Sequence, residues 1–285
     1  MSGSELAKRY RVLDRIGQGA VGAVYRALDL ERHETVALKF LLSTDPAART
    51  RFKHEAELLA RLRHASIPSV TDMLGHADQP VLVMRYVPGR DLAERLARHG
   101  CPFPVRTVLE WADQLLDVLG YLHARRVVHH DVKPANLKMD SSGRVVLLDF
   151  GLAGDAAPCG YTASYAPPEQ ACGESTSDRA DLYAVGATLY ELLTRRSPPR
   201  AVDRLKFDRL AAIRDVNPNV PTLVAAVVNQ ALALREGERP TSARSMRQAL
   251  RSAAAACPRE ELLPVRWPAP SVSRADQATR PHLAA

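Results

Sequence analysis

The chain has 285 residues, of which 46% are hydrophobic and 25% are charged, and its formal net charge is +7 at pH 7. This composition is ordinary for a globular protein, and the length suffices for one large domain or for two lobes with separate cores. The sequence contains no apolar run of about 18 residues, and its first residues contain no apolar stretch of signal-peptide length. We therefore expect a cytoplasmic protein with no membrane span.

The positive charge comes mostly from arginines spread along the chain, with no basic run longer than pairs such as Arg195-Arg196. We expect a mildly basic surface and no nucleic-acid binding, with an acidic protein partner as the weaker alternative. The four cysteines form no CxxC pair, which argues against a zinc site and a disulfide framework. We expect free thiols, and leave open a redox role for Cys159 or Cys172.

The first third of the chain is predicted to form a small lobe that is rich in strands. Residues 10–42 contain apolar runs typical of β-strands, and residues 81–87 form another apolar strand before the turn Pro88-Gly89. Between them, residues 47–64 have apolar side chains at helical spacing. This pattern predicts a sheet with one main helix.

The remainder of the chain is predicted to be mostly helical. A long amphipathic helix covers 107–126, and further helices cover 178–194, 222–234 and 241–256. The expected fold class is therefore α+β, with a small β-rich lobe followed by a larger, mostly α-helical lobe. Residues 257–285 contain five prolines and little periodicity, and we expect them to form a disordered tail.

A glycine cluster, Gly17-x-Gly19-x-x-Gly22-x-Val24, lies between the first two predicted strands. Glycine lets the backbone approach phosphate oxygens and direct N–H groups at them. The dinucleotide-binding fingerprint looks similar, but its glycines open a helix. Here the chain continues as a strand, so the cluster predicts a hairpin that covers phosphates.

A lysine lies inside the apolar run Val36-Ala37-Leu38-Lys39, and Glu55 lies on or beside the buried stripe of the following helix. A buried carboxylate without a partner is costly. We expect Lys39 and Glu55 to pair, which lets the lysine present its charge to phosphates.

The segment His129-His130-Asp131-Val132-Lys133-Pro134-Ala135-Asn136 follows a predicted helix and precedes Asp149-Phe150-Gly151. Asn136 and Asp149 are hard oxygen ligands suited to magnesium, Asp131 is a further carboxylate, and Lys133 places a cation beside it. Phosphoryl transfer needs such a set, because it depends on in-line positioning and on the neutralisation of negative charge. Asp and Asn are also common in turns, but turn formation alone would rarely bring this whole set together.

Taken together, these motifs resemble the eukaryotic-type (Hanks-type) protein kinase family as found in bacteria, over Tyr10 to Ala256. The resemblance implies an ATP-dependent enzyme with Mg²⁺, or Mn²⁺ as an alternative, that phosphorylates protein substrates. It implies an extension over 1–9 and a kinase domain over 10–256. Within that domain, the N-lobe covers about 10–84, the hinge 85–88 and the C-lobe 89–256.

The resemblance also assigns roles to individual residues. Lys39 would hold the α- and β-phosphates, Asp131 would be the catalytic base, and Thr162 would line the acceptor site, as in Ser/Thr rather than Tyr kinases. Asp181 would anchor the catalytic loop, and Arg239 would pair with Glu169 of a Pro-Pro-Glu segment that resembles Ala-Pro-Glu. Phe150 and Gly151 complete the motif that begins at Asp149. The expected ATP contacts are Ile16, Gly17, Gln18, Gly19, Ala20, Val21, Gly22, Val24, Ala37, Lys39, Met84, Arg85, Tyr86, Val87 and Asp91.

The sequence departs from the family at His130, where many members carry an arginine that receives a phosphate from the activation loop. A histidine of ordinary pKa is mostly neutral at pH 7 and receives phosphate poorly. Residues 151–160 contain no Ser, Thr or Tyr. We therefore expect a kinase that does not depend on activation-loop phosphorylation. Pro167 and Arg85 also depart from the common pattern, and we expect both to be tolerated.

Two alternatives remain. A pseudokinase that binds ATP as a scaffold would have lost Lys39, Asp131 or Asp149, and all three are present. A small-molecule kinase of the aminoglycoside type would lack the pair predicted between Glu169 and Arg239. The sequence therefore favours an active kinase with a protein substrate, and it leaves the substrate, the regulator and the oligomeric state open.

Overall fold

The computed structural model describes residues 8–18, 22–74, 80–150 and 161–257. Five antiparallel strands form the sheet of the small lobe, in the spatial order β1-β2-β3-β5-β4. The strands are β1 (Tyr10–Gln18), β2 (Gly22–Asp29), β3 (Glu34–Leu41), β4 (Val70–Leu74) and β5 (Val81–Arg85). The predicted strand over 81–87 is thus two residues shorter, and β4, which pairs with β5 at an edge of the sheet, is an addition to the prediction.

The main helix of the small lobe is α1 (Pro46–Arg61). Asp45 caps it by accepting a hydrogen bond of 2.9 Å from the backbone of Ala47, and Pro46 is at the first helical position, where a missing N–H is harmless. The helix ends three residues before the predicted end, because Leu62 adopts an extended backbone while its side chain stays buried.

The large lobe is mostly helical, as predicted. Its helices are α2 (Leu92–His99), α3 (Val105–His123), α4 (Pro168–Ala171), α5 (Arg179–Thr194), α6 (Ala201–Arg204), α7 (Ile213–Val216), α8 (Thr222–Ala231) and α9 (Ala243–Ala255). A hairpin of β6 (Leu137–Met139) and β7 (Val145–Leu147) follows a short 3₁₀ helix, Pro134–Asn136, and a second 3₁₀ helix covers Glu236–Glu238. None of the helices in the described part of the chain has the length and apolarity needed to cross a membrane.

The hydrophobic core of the large lobe is continuous with the buried face of α1. Phe52 and Leu59 of α1 belong to the same cluster of buried side chains as Val132, Leu147 and Phe150. The strands contribute a second, smaller cluster that includes Val36, Leu38 and Val83. Glu55 on α1 is buried, and its partner Lys39 reaches Asp149 of the large lobe, so Glu55 lies at the junction of the lobes.

Candidate active site

The loop that carries Asp131 is suspended from a buried carboxylate on α5. Asp181 is fully buried and accepts hydrogen bonds of 2.9 Å from the backbone N–H groups of His129 and His130. The ring of His123, at the end of α3, lies 2.8 Å from the same carboxylate. Burial opposes the charge, but these hydrogen bonds hold the pKa of Asp181 below its ordinary value. The predicted anchoring contact is therefore present, and His123, which the sequence did not single out, contributes to it.

Asp131 is held by donors from two segments of the chain. Lys133 donates to its Oδ2 at 2.6 Å, and the hydroxyl of Thr162 donates to its Oδ1 at 2.8 Å. Asn136 donates to Oδ2 at 2.9 Å, and Lys133 also donates to Thr162 at 2.6 Å. The carboxylate is therefore fixed in orientation, with a cation and a hydroxyl beside it.

The donor chemistry at Asn136 and Asp149 fits a magnesium ion. The amide nitrogen of Asn136 donates to Asp131 at both the backbone carbonyl and the side chain, so the remaining polar atom is Oδ1. Asp149 follows β7 with a positive φ of 60° and has a half-exposed side chain. A carboxylate and an amide oxygen are ligand types that magnesium prefers. Phe150, next to Asp149, is buried with its ring edge-on to His129 at 4.8 Å.

The predicted pair of Lys39 and Glu55 is present. The Nζ of Lys39 lies 2.7 and 2.8 Å from the two carboxylate oxygens of Glu55, and 3.1 Å from Asp149 Oδ1. Burial disfavours the charged lysine, but the two carboxylates outweigh it and raise the pKa of Lys39 above its ordinary value. Lys39 therefore joins β3, α1 and the residue expected to bind the metal through short contacts with carboxylates.

Several of the residues predicted to contact ATP share one face of the sheet. In the strand register, Val24 is opposite both Gly17 on β1 and Lys39 on β3, and Ala37 is opposite Met84 on β5. Directly opposed residues in an antiparallel sheet point to the same side, and so do residues two apart along a strand. Since Lys39 reaches Asp149, this face of the sheet looks into the cleft between the lobes.

The other predicted ATP contacts are less uniformly placed. A Cβ at Gly22 would lie 2.4 Å from the carbonyl oxygen of Phe40, so a side chain is excluded there by sheet pairing rather than by phosphate. Arg85 turns to Asp140 and to the carbonyl of Ala65, and Asp91 caps α2 by accepting from the Glu94 backbone at 2.9 Å. Ile16 is 37% exposed and Val87 is buried. Gln18 is the last residue of β1, and Tyr86 directly follows β5.

Some residues of the predicted sites lie outside the part of the chain that the structure describes. They are Gly19, Ala20, Val21, Gly151, Cys159 and 258–285.

An ion pair holds the segment that follows Thr162. Arg239 is 1% exposed and donates to both oxygens of Glu169, at 2.6 and 2.9 Å. Next to it, buried Gln170 donates a hydrogen bond of 2.8 Å to the carbonyl of His130. The ion pair agrees with the expectation, whereas Gln170 was missed because no sequence pattern marks an amide that bonds a loop 40 residues away.

The sequence profile of the protein kinase domain matches residues 10–252. The chain belongs to the protein kinase family. Its expected membership of the Hanks-type kinases of bacteria is thus confirmed.

Three curated relatives of this kinase chain come from bacteria. It is 38% identical over 210 residues to a probable serine/threonine-protein kinase of Streptomyces coelicolor, covering 68% of this chain and 31% of that protein. It is 36% identical over 213 residues to the serine/threonine-protein kinase PknB of Mycobacterium tuberculosis (68% and 34%), and 31% identical over 269 residues to PrkC of Bacillus subtilis (88% and 41%). The chain thus spans about a third to two fifths of the length of these relatives.

A solved structure, the apo form of PpkA-294, has the same fold. It superimposes with a TM-score of 0.74 at 23% sequence identity, covering 85% of this chain and 96% of that one.

Proposed function

We propose that this chain is an active serine/threonine protein kinase that transfers the γ-phosphate of ATP to hydroxyl groups of protein substrates. The observation that carries the proposal is the arrangement of Asp131, which is held by Lys133 and Thr162 while Lys39 pairs with Glu55 and reaches Asp149. Phosphoryl transfer is mainly positioning and electrostatic stabilisation, and each of these groups serves one of those two needs.

In the proposed mechanism, Asp131 orients the acceptor hydroxyl and accepts its hydrogen bond. Lys133 lies beside that carboxylate and supplies positive charge where the transferred phosphoryl group passes. Lys39 binds the α- and β-phosphates, and Glu55 keeps its ammonium group in place. Asn136 and Asp149 would hold Mg²⁺, or Mn²⁺ in its place, which neutralises phosphate charge when bound.

We propose that adenine binds at the hinge, 85–88, with Met84 directly before it and Asp91 after it. The proposed domain covers 10–256, with its lobes meeting at this hinge, and 257–285 as a tail. Protein substrates are the proposed partners, and the cytoplasm is the proposed compartment.

Two observations support a kinase that works without activation-loop phosphorylation. The residue before the catalytic aspartate is His130 rather than arginine, and residues 151–160 have no hydroxyl side chain. A neutral hydrogen bond from Gln170 to the carbonyl of His130 already links the catalytic loop to the segment that follows Thr162. Treatment with a broad phosphatase should leave transfer activity intact, and loss of most activity would contradict this proposal.

A transfer assay with radiolabelled ATP against host proteins, followed by phosphoamino-acid analysis, tests the activity itself. We expect labelled Ser or Thr with the wild type and none with Asp131→Asn. A wild-type protein that binds ATP without transfer would favour the scaffold alternative. Transfer to small molecules and to no protein would favour the alternative of a small-molecule kinase. The buried ion pair of Arg239 and Glu169 argues against that alternative.

A further inference from the structure

The residues directly after α6 form an exposed turn, Leu205–Arg209, called here the 205–209 turn. Phe207 is 75% exposed, more than any other large apolar side chain in the described part of the chain, and Leu205 is 56% exposed. Single exposed apolar residues are common, and here two of them flank Lys206 on one turn.

The conformation of the turn is stabilised by the buried side chain of Arg204. Arg204 is 6% exposed and donates to both carboxylate oxygens of Asp208 at 2.9 Å, closing the turn. The same guanidinium donates to the carbonyl of Leu232 at 2.9 Å and to the hydroxyl of Tyr183 at 3.2 Å. The arginine keeps the pKa of Asp208 below its ordinary value. Phe207 is therefore presented on a fixed support, which lowers the conformational cost of binding through it.

The surface around the turn is basic. Residues 195–209 contain six basic and two acidic residues, a net charge of +4. Both acidic residues are already neutralised, since Asp203 pairs with Arg200 through two hydrogen bonds and Asp208 pairs with Arg204. The uncompensated charge is positive, so the complementary partner is acidic.

A cleft of about 570 Å³ opens beside the turn. Its walls include the apolar side chains of Leu210, Ala212, Leu232 and Leu234, and its charged residues form two ion pairs, Arg204 with Asp208 and Arg235 with Glu238. The cleft can take an apolar side chain of a segment that also contacts Phe207. A ligand that complements this surface therefore combines acidic and apolar side chains.

The position of the turn connects it to the proposed acceptor site. Helix α6 packs against α4, which begins directly after the segment that contains Thr162. A protein bound at the turn can therefore extend a further segment towards Asp131.

We propose that the 205–209 turn and its cleft dock the protein substrate, through an acidic segment that carries an apolar side chain. This inference rests on the proposed kinase function, because it concerns how that enzyme recruits its substrate. It assigns recognition to a surface separate from the residues that bind nucleotide and acceptor hydroxyl.

The test is a binding measurement on the full chain by fluorescence anisotropy. The probes are three short labelled peptides of equal length: one combining Asp and Glu with Leu and Phe, one with its acidic residues changed to Gln, and one with them changed to Lys. The variants are Phe207→Ala and Lys206→Glu. The matched controls are Leu223→Ala, at an apolar residue that is 51% exposed on α8, and Arg106→Glu, at an exposed arginine on α3.

We expect the acidic peptide to bind wild type in a salt-dependent manner, and both variants to weaken it about tenfold or more, as for an interface anchor. The controls and the other peptides should show no such change. Equal binding of the acidic and Gln peptides, or unchanged binding by Phe207→Ala, overturns the proposal. So does a wild type that forms dimers which Phe207→Ala abolishes, because the surface then binds a second copy of the chain.

Radiolabelled transfer to a Ser/Thr peptide library without acidic residues is measured in parallel, with Asp131→Asn as control. Wild-type transfer without binding of the acidic peptide overturns the docking surface and leaves the kinase function standing. Binding without any wild-type transfer overturns the kinase function, and with it the claim that the bound segment is a substrate.

Discussion

The side-chain amide of Gln170 donates a hydrogen bond of 2.8 Å to the backbone carbonyl of His130. Both residues are buried, and His130 has a positive φ of 67° immediately before Asp131. The amide therefore braces the strained point of the loop before Asp131 from the segment that follows Thr162. No charged group takes part in this link, so it can form without modification of the chain.

Removing this donor should slow catalysis. Gln170→Met keeps the length of the side chain but leaves the buried carbonyl of His130 without that donor, at a cost of about 1–3 kcal/mol. We expect kcat to fall about tenfold or more while the KM for ATP stays unchanged. The matched control is Gln248→Met, at an exposed glutamine on α9. An unchanged kcat for Gln170→Met would show that the brace is dispensable.

Lys39 and Glu55 should behave as one unit. Lys39→Met should lower kcat/KM about 10²–10³-fold, because an aligned cation is lost from the phosphate site. Glu55→Gln should cost less, since the amide can still accept from Lys39. The double variant should be no worse than Lys39→Met alone, which steady-state kinetics would establish as non-additivity. Lys53→Met, at an exposed lysine on the same helix α1, serves as control.

Asp131→Asn separates binding from chemistry. We expect kcat to fall about 10²–10⁴-fold, the range for losing a positioned proton acceptor, while titration with a fluorescent nucleotide finds ATP binding unchanged. Asp215→Asn, at an exposed residue on α7, should leave both quantities as in wild type. Full activity in Asp131→Asn would remove this residue from the mechanism.

The contact between α3 and α9 should give the protein a characteristic acid sensitivity. Asp113 accepts hydrogen bonds from Arg247 and Arg251, and these hold its pKa below the ordinary range. A carboxylate with a depressed folded-state pKa stabilises the fold above its unfolded pKa of about 3.9, and that stability is lost as the pH falls further. Asp113→Asn should reduce the free energy of unfolding by about 1 kcal/mol at pH 7.

Urea denaturation at several pH values checks this expectation. The difference between wild type and Asp113→Asn should shrink as the pH falls below about 4, where the wild-type carboxyl begins to lose its charge in the unfolded state. Asp203→Asn, at an exposed aspartate paired with Arg200, should show no comparable effect. A difference that is constant across the whole pH range would exclude the charge of Asp113 as its cause.

The side chains proposed to be catalytic were accessible to sequence reasoning because each belongs to a short local motif. Asp131, Asn136 and Asp149 are close in sequence, and the burial of Glu55 on a helix called for a cation such as Lys39. The hydrogen bonds that hold the loop before Asp131 in place, by contrast, join residues that are far apart in the sequence. Gln170 reaches His130 across 40 positions, and His123 reaches Asp181 across 58. No local pattern encodes such a meeting, because tertiary packing alone decides it.

The secondary structure shows the same contrast between elements with a local sequence signal and elements that depend on tertiary contacts. The long helix α3 has a periodic apolar face, and α5 is a continuous apolar run that is buried on nearly all sides; both were predicted to within a few residues. Strand β4 has the sequence Val-Thr-Asp-Met-Leu, which does not alternate, and it exists because β5 offers it a free edge. Helix α2 was missed although Asp91 and Gly100 mark its ends, since eight residues are too few for a clear period.

Helix α1 shares its buried face with the core of the large lobe, through residues such as Phe52 and Leu59. Swinging this helix outward would return these side chains to water, and each such side chain costs about 1.5–3 kcal/mol to expose. A regulatory protein that silenced the enzyme by displacing α1 would have to supply that free energy from its own interface. A partner that instead covered the proposed substrate surface would leave this core intact and would not have to supply that free energy.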